Sequence, residues 1–379
     1  MKYIFRKKRN VLPVLIFDLV GYFLAKFFKR SFKKAKPEFR NILIIRLDHV
    51  GDVLLATAAP KILKENFSRS RIIFLTSSWA APLLENNPFV DEVILYDAPW
   101  FLKKRYGKSP ATHNIFNLIR ILRKKEIDLA LGLRGDMREN LMMFLAGIKD
   151  RVGYGITGGG FLLTREVAYQ KGVHESVHSV DLLNALDVHH DFLEPKLYFS
   201  GDEITRFDQR LEGLGILKDE RTIGFLMGAG SPSKEWPVEH LRTFLSDAIR
   251  RFPGHKFVLV GTDPYVSLSQ KMANAVDLRG KTSLRELCLL IRRSAIFVGS
   301  DSGPTHIAAA LGVPTVFLYS GTNDFERWRP LAEVATVLRH SVPCSPCYLE
   351  ACNVKGHPCM SEIKPEEVIK RLEALLPLI

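Results

Sequence analysis

Short apolar runs and longer amphipathic stretches alternate along most of this chain. Runs of strand length occur at 41–47, 71–76, 92–96, 127–133, 222–227, 256–260, 295–298 and 315–319. They are almost continuously apolar, as strands covered on both faces are. Between them, apolar positions recur three and four apart, which predicts helices after Gly51, over 114–125, from Val238, and over 284–291, 304–311 and 365–376. At the start of the 304–311 helix, Ser302 or Gly303 suits the N-cap and Pro304 the first turn. Strands alternating with helices imply parallel sheets with helices on both faces, so the expected fold class is α/β. The pattern is interrupted by a polar, charged stretch at 194–220. Two Rossmann-like domains are therefore expected, at 39–205 and 220–362, with a final helix at 363–379 that folds back across the boundary. In such sheets ligands bind beyond the carboxyl ends of the strands, and the cleft between two domains is the default active site.

The first 38 residues do not fit this alternation. Residues 11–25 are apolar apart from Asp18, and basic clusters flank them. The run is shorter than the ~20 residues that span a bilayer. Helical spacing lines up Asp18, Tyr22, Lys26, Lys29 or Arg30, and Lys33, opposite Phe17, Leu24, Phe27 and Phe28. That stripe predicts an amphipathic helix in a membrane interface, its cations toward anionic headgroups. The residues after Ala25 offer no small-residue cleavage site. The charge balance agrees: the chain carries +13, of which residues 1–40 supply twelve Lys and Arg against Asp18 and Glu38. The remaining 339 residues carry +3. The basicity belongs to one segment, which argues against a nucleic-acid-binding surface on the body.

Candidate chemistry falls where strands end. The first strand breaks at Asp48-His49-Val50-Gly51-Asp52. Gly51 permits close approach, and Asp52 stands at a helix start, where a carboxylate either caps the helix or takes a proton from a bound hydroxyl. Arg134, Asp136 and Arg138 follow another strand, as substrate contacts or as solvated charges. Gly158-Gly159-Gly160 is too weak for a nucleotide fingerprint, and His174, His178 and Asp181 lack a metal spacing. In the second half, Gly228-Ala229-Gly230-Ser231-Pro232-Ser233-Lys234 follows a strand and offers a phosphate cradle with Lys234 as point charge. Asp263 closes the next strand, where a carboxylate suits ribose hydroxyls. Asp301, Ser302, Gly303 and His306 surround a helix start whose free N–H groups favour an anion. Cys344, Cys347, Cys352 and Cys359 fall within 16 residues, with His357 nearby. They bind Zn²⁺ or an iron–sulfur cluster, pair as disulfides, or stay free; spacing alone leaves all three open. Cys288 reads as core.

Three ordered stretches, residues 46–57, 228–237 and 300–312, resemble glycosyltransferase family 9, the ADP-heptose:lipopolysaccharide heptosyltransferases. His178-Ser179-Val180-Asp181 and Glu326-Arg327-Trp328 also look like family positions. The resemblance implies the GT-B fold, with an acceptor domain followed by a nucleotide-sugar domain, and inverting transfer with no metal or other cofactor. It puts the catalytic base at Asp52. Donor contacts fall at Gly230, Ser231, Lys234, Asp263, Asp301, Ser302, Gly303 and His306, and acceptor contacts at Asp48, His49, Arg134 and Asp136. Where the family often has small hydroxyl residues, this chain has Asp48 and His49. The implied partners are ADP-heptose, a lipid-linked or lipopolysaccharide core acceptor, and an anionic membrane surface met by residues 1–36. The implied location is peripheral, on the cytoplasmic face of the inner membrane. Another nucleotide sugar, a nucleotide-sugar epimerase, and a non-enzymatic nucleotide-binding module at the membrane are the competing readings.

Overall fold

A computed structural model describes residues 3, 11–28, 38–102, 114–188, 194–261 and 274–378. It divides into two compact units, Met1–Pro195 and Lys196–Ile379. The first contains strands β1 (Asn41–Arg46), β2 (Arg71–Thr76), β3 (Glu92–Leu95), β4 (Leu129–Gly132), β5 (Asp150–Tyr154) and β6 (Arg165–Val167). Its helices are α1 (Val11–Phe28), α2 (Val50–Ala56), α3 (Ala59–Asn66), α4 (Ile115–Lys124), α5 (Met137–Leu145) and α6 (Glu175–Asn184). The second contains β7 (Thr222–Leu226), β8 (Lys256–Val260), β9 (Ala275–Asp277), β10 (Ile296–Ser300), β11 (Thr315–Leu318) and β12 (Ala335–Leu338). Its helices are α7 (Gly201–Gly213), α8 (Val238–Arg251), α9 (Leu284–Arg293), α10 (Gly303–Ala310), α11 (Phe325–Trp328), α12 (Pro358–Ser361) and α13 (Pro365–Leu375).

Both sheets are parallel throughout, in the orders β3-β2-β1-β4-β5-β6 and β12-β11-β10-β7-β8-β9. Each order reverses once, between β1 and β4 and between β7 and β10. Loops diverge at such a reversal and leave a crevice at the strand ends. The register brings partners there: Ile45 lies opposite Gly132, so the chain leaves β1 and β4 side by side. Val298 lies opposite Phe225, which does the same for β7 and β10. The central strands are the apolar runs, with Ile42, Leu43, Ile44 and Ile45 wholly buried.

Four strands are absent from the hydrophobic pattern. β5, β6, β9 and β12 lie at or near sheet edges, are short, and mix charged or half-buried positions with apolar ones. The stretch read as an interdomain connection contains α7. Ser200 caps it by accepting the Glu203 N–H, and it groups with the second unit. The final helix, α13, packs on α8 and buries Val368, Leu372 and Leu375 in the core of its own unit.

In α1 two residues of the expected polar stripe, Asp18 and Tyr22, face the protein, whereas Lys26 is exposed. Asp18 is buried and accepts the Gly159 N–H at 2.8 Å and the Tyr3 hydroxyl at 2.8 Å, while Tyr22 donates to Glu166. Phe161 packs between Phe17 and Tyr22. The triple glycine is the seat of this contact. Gly158 and Gly159 have φ of +101° and +71°, and a Cβ on Gly158 would meet Val14. The expected arrangement put Asp18 and Tyr22 on the outward stripe. Burial of hydrogen-bonded polar groups against Gly159 and Glu166 overrides it and turns Leu24 outward. Lys29, Arg30 and Lys33 lie outside the described residues.

Leu372→Ala tests the placement of α13. Removing this fully buried side chain is expected to lower the stability of the second unit by about 2–5 kcal/mol. The urea midpoint would fall, whereas exposed Leu217→Ala would shift stability by no more than about 0.5 kcal/mol.

Candidate functional site

At the end of β1 the structure buries a guanidinium. Arg46 is the last residue of an otherwise apolar strand, and its side chain is 1% exposed. Its Nε donates to Asp48 Oδ1 at 2.7 Å, and its Nη2 to Asp52 Oδ1 at 2.8 Å and Glu175 Oε1 at 3.0 Å. Nη1 reaches the carbonyl of Leu133, the residue after β4. Asp48 and Asp52 enter from the β1–α2 turn and Glu175 from the first turn of α6, which packs on α2. Burial works against Arg46's charge, but three carboxylates outweigh it and hold the proton more firmly than usual.

The two aspartates diverge. Burial opposes the charge of Asp48, yet Arg46 and Arg134, at 2.5 Å, outweigh it and hold its carboxyl below the usual range. Burial pushes Asp52 upward, and the charge of Asp48 adds to this against the pull of Arg46. One of two adjacent carboxyls is thereby fixed as an anion and the other made the better proton acceptor. Asp52 also accepts the His49 N–H at 3.3 Å, so capping and acid–base chemistry coexist in one side chain. At 9% it is the more exposed of the pair, against 1% for Asp48.

The other expected residues of this unit divide. Arg134 lies over the Phe101 ring at 4.4 Å and remains about one-third exposed. His49 is half-buried, edge-on to Phe101. Asp136 is taken up locally: it caps α5 by accepting the Arg138 N–H, and it accepts from the Arg138 guanidinium with both oxygens. Arg138 in turn stacks on Trp100 at 4.2 Å. The surface beyond Asp52 thus carries two arginines on aromatic rings. His178 bonds the Gln170 carbonyl through Nε2, sits 3.3 Å from Glu175 through Nδ1, and stacks on Tyr169. Sequence reading gave no role to Arg46 or Glu175. The available signal was an arginine at the end of a buried strand, which demands a buried acid. Its partner 129 positions away had no such mark.

In the second unit the counterpart is a buried anion. Asp301 follows β10 and is 2% exposed. It lies 2.9 Å from Lys234 Nζ and 3.6 Å from His306 Nε2, and it accepts from Asn323 Nδ2 at 3.0 Å. Burial would raise its pKa, but Lys234 and His306 overcome that and hold it at about 2. Ser302 stands at the N-cap of α10, but its hydroxyl donates to the Ser300 carbonyl, so its side chain accepts no N–H of the helix. His306 lies in the first turn of that helix, edge-on to Phe317. Gly230, Ser231 and Lys234 belong to the loop after β7, where Gly228 has φ +94°. The middle of that loop is braced from afar: Ser233 donates to the Leu349 carbonyl, its N–H bonds the Glu350 carbonyl, and its own carbonyl meets His357 Nε2. Asp263 lies outside the described residues. Cys344, Cys347, Cys352 and Cys359 are free thiols, and among the described residues no group of His, Cys, Asp and Glu is placed to hold a metal ion.

Two parallel sheets in the Rossmann order, one in each unit, match the fold class of the GT-B glycosyltransferases. The chain belongs to glycosyltransferase family 9 (heptosyltransferase), whose profile matches residues 115–357. It is 27% identical over 378 residues to lipopolysaccharide heptosyltransferase 2 of Salmonella typhimurium, covering 89% of this chain and 98% of that protein. It is 26% identical to lipopolysaccharide heptosyltransferase 3 of Escherichia coli, covering 86% and 95%. Among solved structures, it matches E. coli ADP-heptose lipopolysaccharide heptosyltransferase II with a TM-score of 0.71 at 26% identity, over 89% of this chain and 99% of that one. A family 9 glycosyl transferase from Veillonella parvula matches with a TM-score of 0.75 at 22% identity, over 92% and 100%.

The Asp301 cluster makes a pH-dependent contribution to stability. A carboxyl held at about 2, below its ordinary 3.8, stabilises the fold above pH ~4 and loses that contribution as the pH falls toward 2. The amount is about 2 kcal/mol. Denaturant titrations between pH 2 and 7 should show Asp301→Asn flattening this acid limb.

Proposed function

We propose that this chain transfers a heptosyl residue from ADP-heptose to a lipopolysaccharide core acceptor by inverting displacement, with Asp52 as general base. The observation that carries this reading is the divergence of Asp48 and Asp52 around Arg46. It leaves Asp52, the less deeply buried carboxylate of the two, with raised proton affinity in the first turn of α2. The names of the family relatives supply the donor and acceptor classes.

In the proposed step, Asp52 accepts the proton of the acceptor hydroxyl as that oxygen bonds to the anomeric carbon of the sugar. The bond from this carbon to the diphosphate breaks, and its electron pair leaves with ADP. Negative charge grows on the departing diphosphate. Lys234, His306 and the N-terminal N–H groups of α10 offset it, as the family resemblance implies, with no metal. Asp301 keeps Lys234 and His306 side by side for this task. Arg134 and Arg138, mounted on Phe101 and Trp100, suit an acceptor bearing phosphate or carboxylate groups. Residues 1–36 hold the enzyme peripherally at the cytoplasmic face of the inner membrane, where their net positive charge meets anionic headgroups.

Asp52→Asn preserves shape and the hydrogen bond to Arg46 but removes the base. It should lower the transfer rate by about 10²–10⁴-fold, while ADP still raises the melting temperature as it does in the parent protein. An unchanged rate rules out Asp52 as the base. In a thermal-shift panel of ADP, UDP, GDP and CMP at equal concentration, ADP should stabilise selectively. Selective stabilisation by UDP or GDP keeps the transferase and overturns the heptose donor. Turnover of the nucleotide sugar without acceptor would indicate an epimerase. Separately, deleting residues 1–36 should abolish cosedimentation with anionic vesicles; undiminished sedimentation rejects the membrane role of this segment.

A further inference from the structure

The side of α1 turned away from the triple glycine carries a continuous exposed apolar strip. Leu12, Ile16, Leu19, Val20, Phe23 and Leu24 are each between 50% and 63% exposed. They recur at helical spacing along the whole length of α1. The opposite side is fastened along its length by Val14 against Gly158, Asp18 on the Gly159 N–H, and Tyr22 on Glu166. A Cβ on Gly21 would collide with the Phe161 ring, so that approach is as close as backbone permits. A helix secured along one side cannot cross a bilayer, and among the described residues no helix is long and apolar enough to do so.

Charge identifies what covers the strip. Residues 1–40 carry twelve Lys and Arg and two acids. One of the acids, Asp18, is buried and hydrogen-bonded on the docked side. The exposed strip therefore lies within a segment whose remaining charge is almost wholly positive. A second copy of the chain on this strip would bring two such segments together, at a repulsive cost. An anionic lipid leaflet satisfies both features at once, because it accepts apolar side chains below the headgroups and cations among them.

We propose that α1 lies flat on an anionic leaflet with the Leu12–Ile16–Leu19–Val20–Phe23–Leu24 strip inserted, as a rigid part of the first unit rather than as a flexible tether. The inference rests on the membrane reading above and specifies the inserted face. It also adds a link to the site. The docked loop gives Thr157 Oγ1 to the Met137 N–H, and Met137 follows Asp136 and opens α5. The loop carrying Arg134, Asp136 and Arg138 is thus one hydrogen bond away from the turn that seats the anchor. This holds the proposed acceptor-facing arginines in a fixed relation to the leaflet, as an acceptor that never leaves the lipid requires.

The experiment is flotation of the full chain with vesicles of phosphatidylglycerol and phosphatidylcholine, and with phosphatidylcholine alone. The parent should float with the anionic vesicles. The triple variant Ile16→Ser, Leu19→Ser, Phe23→Ser should lose binding by about a hundredfold while keeping its melting temperature, since all three side chains are exposed. Independently of the triple variant's folding, Val20→Trp fluorescence should be quenched by brominated acyl chains. A triple variant that is folded and floats like the parent overturns the inserted face yet leaves the membrane reading standing, with the basic residues alone making contact. A parent that fails to float with either vesicle overturns both. Absence of quenching at position 20, or a parent dimer that the triple variant converts to monomer, assigns the strip to something other than lipid and overturns the proposal.

Discussion

The first unit depends on keeping one guanidinium out of water. Arg46 has no solvent to offset its charge, so the fold must bring it anions, and it brings three. They come from the turn after β1 and from α6, so that turn, α2 and α6 are fastened to the end of one strand. A buried ion of this kind adds little net stability compared with an apolar replacement, but losing one partner would strand the others. Its value is geometric and electrostatic. A single cation shared by two aspartates at different depths, one of them also held by Arg134, separates their proton affinities with no further machinery.

The second unit solves the same problem with the signs exchanged. Across the reversal point of its sheet, beyond β10, the buried group is the anion Asp301, which collects Lys234 and His306. Under the proposed reaction, the half that must accept a proton is built around a cation that keeps a carboxylate available. The half that must receive a leaving diphosphate is built around an anion that keeps cations in place. The strand order is the same in both, so the difference lies in the turns.

Much of this was legible in the chain. Central strands announce themselves because both faces are covered and nearly every residue is apolar. Each candidate at a turn, from Asp52 to His306, was visible because a polar group directly after such a strand stands at the sheet's carboxyl edge. What was not legible depends on distance or on marginal burial. Glu175 is an ordinary acid at a helix start until Arg46 is beside it. Nor did the sequence show that the oxygens of Asp136 meet the Arg138 guanidinium and the α5 cap. The strands at or next to sheet edges, β5, β6, β9 and β12, owe their structure to a neighbour rather than to their own pattern. In α1, periodicity says only that two faces differ, not which one meets the protein, and Asp18 and Tyr22 lie on the face that does.

The brace on Ser233 bears on how the molecule is made. The loop that presents Lys234 is held by the carbonyls of Leu349 and Glu350 and by the ring of His357. These groups are translated more than a hundred residues after it. During synthesis β7 and α8 leave the ribosome long before the segment that completes the loop. The strands of the first sheet have by then all been made. Under the proposed reaction, competence to hold the sugar donor is therefore acquired after the first sheet is complete in sequence, and a product truncated before residue 349 would have all strands of the first sheet and an unfinished Lys234 loop.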